Sequence, residues 1–175
     1  MNLKEKIRNV QDFPKEGIGF KDITTVLKDG ASFKECIDDM KLVLEKNKIE
    51  FDLVVGPEAR GFLVGAPLAY ATETGFVPVR KPGKLPAETI KFEYDLEYGT
   101  DVLEMHKDSI YKGARVVIAD DLLATGGTVE AVVKMIEQLG GEVVALCFMI
   151  ELDFLKARNK FDDYKIYSLV HYDGE

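Results

Sequence analysis

Residues 116–128 place acidic, hydroxyl and glycine residues directly after an apolar segment, a combination that could bind a phosphorylated sugar. The apolar residues 116–119 are typical of a buried strand, and Asp120 and Asp121 follow them at once. A helical pattern begins after residue 128, so the polar residues would lie at the carboxyl end of a strand, where open α/β sheets bind ligands. Two carboxylates would repel an anion. Asp120 and Asp121 therefore suit sugar hydroxyls or a hydrated magnesium ion.

The turn after the two acids has the composition of a phosphate-binding loop. Glycine lacks a Cβ, so successive backbone N–H groups can converge on a phosphate, and the following helix start favours an anion. The predicted phosphate ligands are Ala124, Thr125, Gly126, Gly127 and Thr128. A plain strand followed by a capped helix is the alternative. The chain has neither the Gly-x-x-x-x-Gly-Lys-Ser/Thr motif of nucleoside triphosphate sites nor the Gly-x-Gly-x-x-Gly motif of dinucleotide sites.

A second polar tip, Gly-Pro-Glu-Ala-Arg-Gly at residues 56–61, also follows a short apolar segment and opens a helical pattern. It places Arg60 at a helix start, where backbone N–H groups already favour anions. A guanidinium group can bind a pyrophosphate through two parallel hydrogen bonds. The alternative is that Arg60 is a solvated surface charge.

Composition and charge exclude several classes of protein. The chain has 175 residues, 46% of them hydrophobic and 31% charged, which is typical of one globular domain. The net charge of −8 argues against a general nucleic-acid surface. No apolar segment is long enough to span a bilayer and the amino terminus lacks a signal-peptide core, so we expect a cytoplasmic protein. Cys36 and Cys147 lie in apolar patterns, which predicts buried free thiols and no zinc site.

Strand and helix patterns alternate along the chain. Helical spacing predicts helices over 32–46, with Ser32 as the N-cap, over 61–74, with a kink or a later start caused by Pro67, and ahead of the glycines at 140–141. Strands are predicted at 51–55, 76–80, 116–119, 143–150 and 166–170. This alternation predicts an α/β fold with a mostly parallel open sheet flanked by helices on both faces. The polar tips at 56–61, 80–86 and 120–128 would then gather at one edge.

The segment 81–106, which we name the lid segment, breaks this alternation. It begins with Lys-Pro-Gly-Lys-Leu-Pro, and aromatic or aliphatic residues then alternate with acidic ones from Phe92 to Tyr98. A two-residue period predicts extended arms, and a long insert in a small domain is usually functional. We interpret the segment as a lid over the site. A β-arm that packs on a partner subunit is the alternative, and the two roles are compatible.

Taken together, these motifs resemble those of the type I phosphoribosyltransferase family, and of its adenine-using members in particular. The resemblance rests on Asp-Asp-Leu-Leu-Ala-Thr-Gly-Gly-Thr at 120–128 and on four further motifs in the same order. These are Gly-Phe-Lys-Asp-Ile at 19–23, Gly-Pro-Glu-Ala-Arg-Gly-Phe at 56–62, Arg-Lys-Pro-Gly-Lys-Leu-Pro at 80–86 and Leu-Glu-Tyr-Gly at 96–99. It covers nearly the whole chain and implies one domain over residues 1–175.

The resemblance implies a purine-salvage reaction in which adenine and 5-phosphoribosyl 1-pyrophosphate (PRPP) give AMP and pyrophosphate. Asp120 and Asp121 would hold the ribose hydroxyls and residues 124–128 the 5′-phosphate. Arg60 and Lys84 would bind the pyrophosphate, with Arg80 as a weaker candidate. Magnesium would be bound mainly through the substrate rather than by direct protein ligands. The family loop that matches 56–61 contains a non-proline cis peptide, which by analogy would be Glu58–Ala59.

The resemblance also assigns the purine end of the site. Residues 1–30 would form a base-binding segment in which Gly19, Phe20 and Lys21 contact the purine, with Leu152 on the far side of the ring. Glu97 would act near the imidazole nitrogens of the purine, as a proton acceptor or orienting group, and its alternative is a solvated carboxylate. The family is usually dimeric, so a homodimer is expected. The competing functions are a 6-oxopurine (xanthine or hypoxanthine) phosphoribosyltransferase and, more remotely, a PRPP-sensing regulator.

Overall fold

The alternating strands and helices form a five-stranded parallel sheet. In a computed structural model, which describes residues 2–96 and 99–174, the strands lie in the order β4-β3-β7-β8-β9, and every neighbouring pair is parallel. The strands are β3 (Leu53–Pro57), β4 (Gly75–Val79), β7 (Arg115–Leu123), β8 (Glu142–Leu152) and β9 (Ile166–Tyr172). The predicted fold class is therefore confirmed.

Helices cover both faces of the sheet, as the alternation of side chains along β7 requires. Val116 and Ile118 pack on one face with α5 (Gly127–Gln138), whereas Val117 and Ala119 pack on the other with α3 (Gly30–Lys46) and α4 (Arg60–Thr72). Successive residues of a strand point to opposite faces, so a strand that is covered on both sides is apolar throughout.

The amino-terminal residues form a small unit beside the carboxyl end of the sheet. It contains α1 (Leu3–Lys6), β1 (Arg8–Val10), β2 (Phe20–Asp22) and α2 (Thr24–Leu27), and β1 pairs with β2 in the antiparallel sense. Two short 3₁₀ helices, Asp153–Leu155 and Ala157–Lys160, connect β8 with β9.

The two-residue period of the lid segment corresponds to a β-hairpin. Strands β5 (Thr89–Leu96) and β6 (Gly99–His106) are antiparallel, with Phe92 opposite Leu103 and Tyr94 opposite Asp101. The base of the hairpin is joined to the end of β4 because Arg80 and Glu104 exchange two backbone hydrogen bonds of 3.0 and 2.7 Å. Extended arms were the expected conformation, and this is confirmed.

Three sequence-based details need correction. Ser32 is not the N-cap of α3, because the helix begins at Gly30 after Asp29, and the Ser32 hydroxyl donates to Asp29 Oδ2 at 2.5 Å. Pro67 neither delays nor ends α4, which spans Arg60–Thr72. Strand β7 continues to Leu123, four residues beyond the predicted end, because β8 beside it extends to Leu152 and offers pairing partners.

Two further expectations concern the cysteines and the membrane. Cys36 and Cys147 are buried free thiols, as expected, and burial raises the pKa of each thiol to about 12. No helix within residues 2–96 and 99–174 combines the length and the apolar character needed to cross a bilayer.

Candidate functional site

The polar tips after β3 and β7 line a single cleft of about 250 Å³ at the carboxyl edge of the sheet. Residues 57–60 form one wall of this cleft and residues 120–129 form the other. The convergence follows from topology, because β3 and β7 are parallel neighbours and their carboxyl ends must lie side by side. The cleft contains the predicted ribose, phosphate and pyrophosphate ligands except Lys84 and the weaker candidate Arg80, which both follow β4.

Asp120 and Asp121 lie inside the last part of β7 and not in the turn after it, since Asp120 is paired with Phe148 of β8. The amide of Asp121 donates to Asp120 Oδ1 at 2.8 Å. Burial, together with the neighbouring charge of Asp121, raises the pKa of Asp120 well above the usual aspartate value. An acidic pair of this kind suits hydrogen-bond donors such as the hydroxyls of a sugar.

Helix α4 approaches the acidic pair very closely, and this approach requires Gly61. A Cβ on Gly61 would lie 2.9 Å from Asp120 Oδ1 and 2.9 Å from the ring of Pro57. The first turn of α4 therefore faces the Asp120 carboxylate, where its free N–H groups favour negative charge.

The loop 124–128 leads into α5, and Gly126 is the residue that sets its path. Gly126 precedes the helix with φ +89°, a conformation that side chains disfavour, and a Cβ there would lie 2.8 Å from the ring of Phe161. The first intrahelical hydrogen bond runs from the amide of Glu130 to the carbonyl of Gly126 at 2.9 Å. The amides before Glu130 are thus free of helical acceptors and suited to a phosphate.

Arg60 connects the acidic wall of the cleft with the aromatic residue predicted for the purine. Its Nε lies 3.1 Å from Asp121 Oδ2, and the side chain of Asp121 is only 5% exposed. Its guanidinium carbon lies 5.1 Å from the ring centre of Phe20, which is a cation–π distance. Arg60 is thus paired with a buried carboxylate, while 40% of its own side chain is exposed.

The carboxylate of Glu58 contacts the cationic residues that follow β4. Its Oε2 accepts a hydrogen bond of 2.6 Å from Lys84 Nζ, and its Oε1 accepts one of 2.7 Å from the amide of Lys81. The Nε of Arg80 lies 3.3 Å from Oε1. Burial opposes ionisation of Glu58, but the hydrogen bonds from Lys84 and Lys81 and the nearby positive charges outweigh it and lower the pKa. The peptide bond Glu58–Ala59 is cis, as the resemblance implied.

The residues predicted for the purine are not part of the cleft lining, but Phe20 lies beside it, against the guanidinium of Arg60. Phe20 is half-buried and contacts Phe13 edge to face, with ring centres 5.1 Å apart. The side chain of Lys21 is buried, and its Nζ lies 4.5 Å from the ring centre of Tyr172. Tyr172 in turn is paired with Leu152 across β8 and β9. The structure thus brings the Phe20 strand and Leu152 to the same end of the sheet, with Gly19 half-buried just before β2.

A match to a known family accounts for this arrangement. A sequence profile described as the phosphoribosyl transferase domain matches residues 22–173. The chain belongs to the phosphoribosyltransferase family.

Individual phosphoribosyltransferases resemble the chain over nearly its whole length. The adenine phosphoribosyltransferase of Clostridium botulinum (strain Alaska E43 / Type E3) is 64% identical over 173 residues, which cover 99% of each protein. A solved adenine phosphoribosyltransferase from Thermoanaerobacter pseudethanolicus is 58% identical, with a TM-score of 0.94, and the match covers 97% of this chain and 98% of that one. The enzyme from Saccharomyces cerevisiae, solved with adenine and an imino-alditol bisphosphate, is 42% identical, with a TM-score of 0.91 and 95% of each chain covered.

Sequence reasoning on this phosphoribosyltransferase missed two groups in contact with predicted ligands. Glu58 was identified only as part of its motif. The signal that could have revealed its role is the cluster of three basic residues that follows the neighbouring strand. The second group is Tyr94 of β5, whose ring is in van der Waals range of a Cβ placed on Gly127. Its hydroxyl lies 3.5 Å from Thr128 Oγ1.

The same hydroxyl of Tyr94 donates to Asp101 Oδ2 at 3.3 Å, and Lys81 forms an ion pair with Asp101. The lid segment thus contacts the loop 124–128 through the side chain of Tyr94. Glu97, predicted to be catalytic, lies outside the described residues, and its role stays a prediction.

Proposed function

We propose that the chain transfers the 5-phosphoribosyl group of PRPP to adenine in purine salvage, releasing pyrophosphate and forming AMP. Its family, and the names of relatives that match it from end to end, support this reaction. The observation that carries the proposal is the cleft itself, in which an acidic pair, a glycine-bearing helix start and Arg60 face one another. Each group suits one part of PRPP.

The acidic pair and the loop after it would fix the phosphoribosyl group. Asp120 and Asp121 accept hydrogen bonds from the 2′ and 3′ hydroxyls and stabilise the positive charge that develops on the ribose as the bond to pyrophosphate breaks. Residues 124–128 hold the 5′-phosphate through backbone N–H groups and the hydroxyls of Thr125 and Thr128. The protein thus accelerates the transfer mainly by positioning the reactants and by stabilising the charges that develop between them.

The opposite wall would hold the leaving group. Arg60 and Lys84 exchange their carboxylate partners for pyrophosphate oxygens and stabilise the charge that accumulates there. The oxygens of PRPP are the hard donors that Mg²⁺ prefers, and the acidic wall of the cleft favours a nearby cation, so the cleft fits Mg²⁺ that arrives with PRPP. When bound, Mg²⁺ would neutralise part of the pyrophosphate charge. We assign no direct protein ligand to it.

The base would lie at the outer end of the cleft, with Phe20 on one side of the purine ring and Leu152 on the other. Backbone groups of Gly19 and Lys21 would read its edge, which favours the 6-amino group of adenine over a 6-oxo group. Glu97 would accept or orient a proton at the imidazole nitrogens.

The remaining assignments follow from the same proposal. Residues 1–30 act as the base-binding segment of a single domain, and the lid segment 81–106 closes over the bound substrates to exclude water. The enzyme works as a cytoplasmic homodimer.

The decisive measurement is a steady-state comparison of adenine, hypoxanthine, guanine and xanthine with PRPP and Mg²⁺, monitored by pyrophosphate release. We expect adenine to give the highest kcat/KM by a wide margin. A clear preference for hypoxanthine or xanthine would replace the proposal by a 6-oxopurine phosphoribosyltransferase. Absence of turnover with tight binding of PRPP would instead favour a sensor.

Two variants assayed in parallel examine the assigned roles. Asp120→Asn removes one ribose ligand, and Glu97→Gln removes the proposed proton acceptor while keeping its size. Both should lower kcat, whereas the KM for adenine should respond mainly to Glu97→Gln. Unchanged kcat in Glu97→Gln would leave Glu97 as a solvated carboxylate.

A further inference from the structure

Glu58 makes contacts that the reaction described above does not use. Its side chain lines the cleft and is 12% exposed, so water provides little of its solvation. Its two oxygens are instead solvated by the segment that follows β4, through Lys84 Nζ at 2.6 Å, the amide of Lys81 at 2.7 Å and the guanidinium of Arg80 at 3.3 Å. The carboxylate thus occupies the centre of a cationic group that suits a polyanion.

The cations around Glu58 include one, Lys84, that the proposed function assigns to pyrophosphate. Lys84 is the second pyrophosphate ligand and Arg80 is a weaker candidate. The Nε of Arg80 is buried and makes no hydrogen bond to any side chain or backbone group of the described residues, so its interaction with Glu58 is one of charge alone. The Arg80 Nε therefore keeps one unused hydrogen-bond donor beside Glu58.

We propose that Glu58 is a positioning residue that stands in for pyrophosphate in the unliganded enzyme and competes with it for Lys84 and Arg80. The proposal rests on the proposed function. Without ligand, Glu58 keeps both cations and the start of the lid segment at the cleft, ready for PRPP. With pyrophosphate bound, Lys84 changes partner and the Glu58 carboxylate remains beside a highly charged anion.

The charge of Glu58 should weaken pyrophosphate binding. Two anions a few ångströms apart in a partly buried site repel each other strongly, because little solvent screens them. The repulsion weakens pyrophosphate binding and so assists its release after the transfer step. If Glu58 had only a structural role, its removal would misplace Lys84 and weaken pyrophosphate binding. Competition predicts the opposite change, a stronger binding of pyrophosphate.

Glu58→Gln separates these two cases because the amide keeps the size of the side chain and an acceptor for the Lys81 amide but removes the charge. The probe is pyrophosphate with Mg²⁺, measured by calorimetry and as the KM for pyrophosphate in the reverse reaction from AMP. We expect Glu58→Gln to bind pyrophosphate about tenfold more tightly than the wild type, with the affinity for adenine unchanged.

A double-mutant cycle with Lys84→Gln tests whether the gain passes through Lys84. Competition for Lys84 predicts that most of the gain disappears when Lys84 is absent. Glu50→Gln is the matched control: Glu50 also pairs with an arginine, Arg115, at 3.0 Å, but it precedes β3 and so lies at the opposite edge of the sheet. This control should leave pyrophosphate binding unchanged.

Weaker or equal pyrophosphate binding in Glu58→Gln would overturn the inference, and so would a gain that persists in full without Lys84. If Glu58→Gln shows no cooperative thermal unfolding, Glu58→Asp replaces it. The shorter carboxylate withdraws from Lys84 but keeps its charge, so we expect a smaller gain in pyrophosphate affinity. An affinity equal to that of the wild type would count against the proposal. Wild-type synthesis of AMP in the same experiments separates the outcomes, because its absence refutes the proposed function itself.

Discussion

Arg60 and Asp121 form an ion pair across the cleft, with Arg60 Nε 3.1 Å from Asp121 Oδ2. The contact joins the wall assigned to pyrophosphate to the wall assigned to ribose. Because the pairs Arg60–Asp121 and Lys84–Glu58 are both present, the cations of the site are balanced by its own carboxylates before any substrate binds. PRPP brings oxygens for the cations and hydroxyls for the acidic pair, so its binding exchanges the partners of Arg60, Lys84 and the acidic pair.

Arg60→Gln should reduce kcat/KM for PRPP by about 10²–10³-fold, because it removes a charge that stabilises the departing pyrophosphate. The reduction should appear in both kcat and the KM for PRPP, measured by pyrophosphate release. Lys34→Gln is the control, since Lys34 pairs with Asp38 on the exposed side of α3. Activity within threefold of the wild type in Arg60→Gln would remove Arg60 from the site.

Asp120→Asn should stabilise the unliganded protein at neutral pH while lowering activity. Burial and the charge of Asp121 raise the pKa of Asp120, so the folded protein retains a proton that the unfolded chain has released. The free energy of unfolding therefore falls as the pH rises above the ordinary aspartate value of 3.8. Asn carries no charge, so this loss should be smaller in the variant and its Tm higher at pH 7, by about 2–4 °C.

Thermal melts of the wild type and Asp120→Asn between pH 5 and pH 8 test this effect. The control is Asp108→Asn, in which the changed residue is exposed in a turn, and its Tm should follow the wild type across the series. A lower Tm for Asp120→Asn at every pH would mean that the Asp120 carboxylate stabilises the fold.

Gly126→Ala should destabilise the protein and disrupt the phosphate loop. The alanine would have to adopt φ +89°, and its Cβ would lie 2.8 Å from the ring of Phe161. The two penalties together are about 2–4 kcal/mol in urea unfolding. Gly113→Ala is the matched control, because Gly113 has φ +83° but no atom within 4 Å of a Cβ, so only about 1 kcal/mol is expected.

The same pair of variants tests whether the loop binds the 5′-phosphate, through their affinities for AMP and adenosine. Gly126→Ala should weaken AMP far more than adenosine, since only AMP carries the 5′-phosphate, and Gly113→Ala should weaken neither. Equal losses for AMP and adenosine in Gly126→Ala would show that the loop does not bind the phosphate.

Tyr94→Phe should raise the KM for PRPP by about 3–10-fold, because it removes the hydroxyl that contacts Thr128 and Asp101. The KM for adenine should stay the same, since Tyr94 contacts the phosphate loop and not the purine end. Tyr70→Phe provides the control: Tyr70 is 88% exposed on α4. An unchanged KM for PRPP in Tyr94→Phe would mean that the aromatic ring alone connects the lid segment to the loop.

The sequence was sufficient for the fold class and for most of the cleft because both depend on local patterns. Apolar segments of strand length alternated with helical spacing, and parallel strands must align their carboxyl ends, so the grouping of Arg60 with residues 120–128 followed from topology. Gly126 could be recognised for the same reason, since a strand-to-helix turn needs positive φ at one residue and glycine adopts it without strain.

Tertiary packing decided what local patterns do not encode. Strand β7 continues through Asp120 and Asp121 because β8 is long enough to pair with it, and α3 begins at Gly30 despite the serine two residues later. The sequence also did not reveal which partner each charged side chain would contact. Glu58 contacts Lys84 across 26 positions of sequence, and Tyr94 contacts Thr128 across 34, so only the folded chain could bring these pairs together.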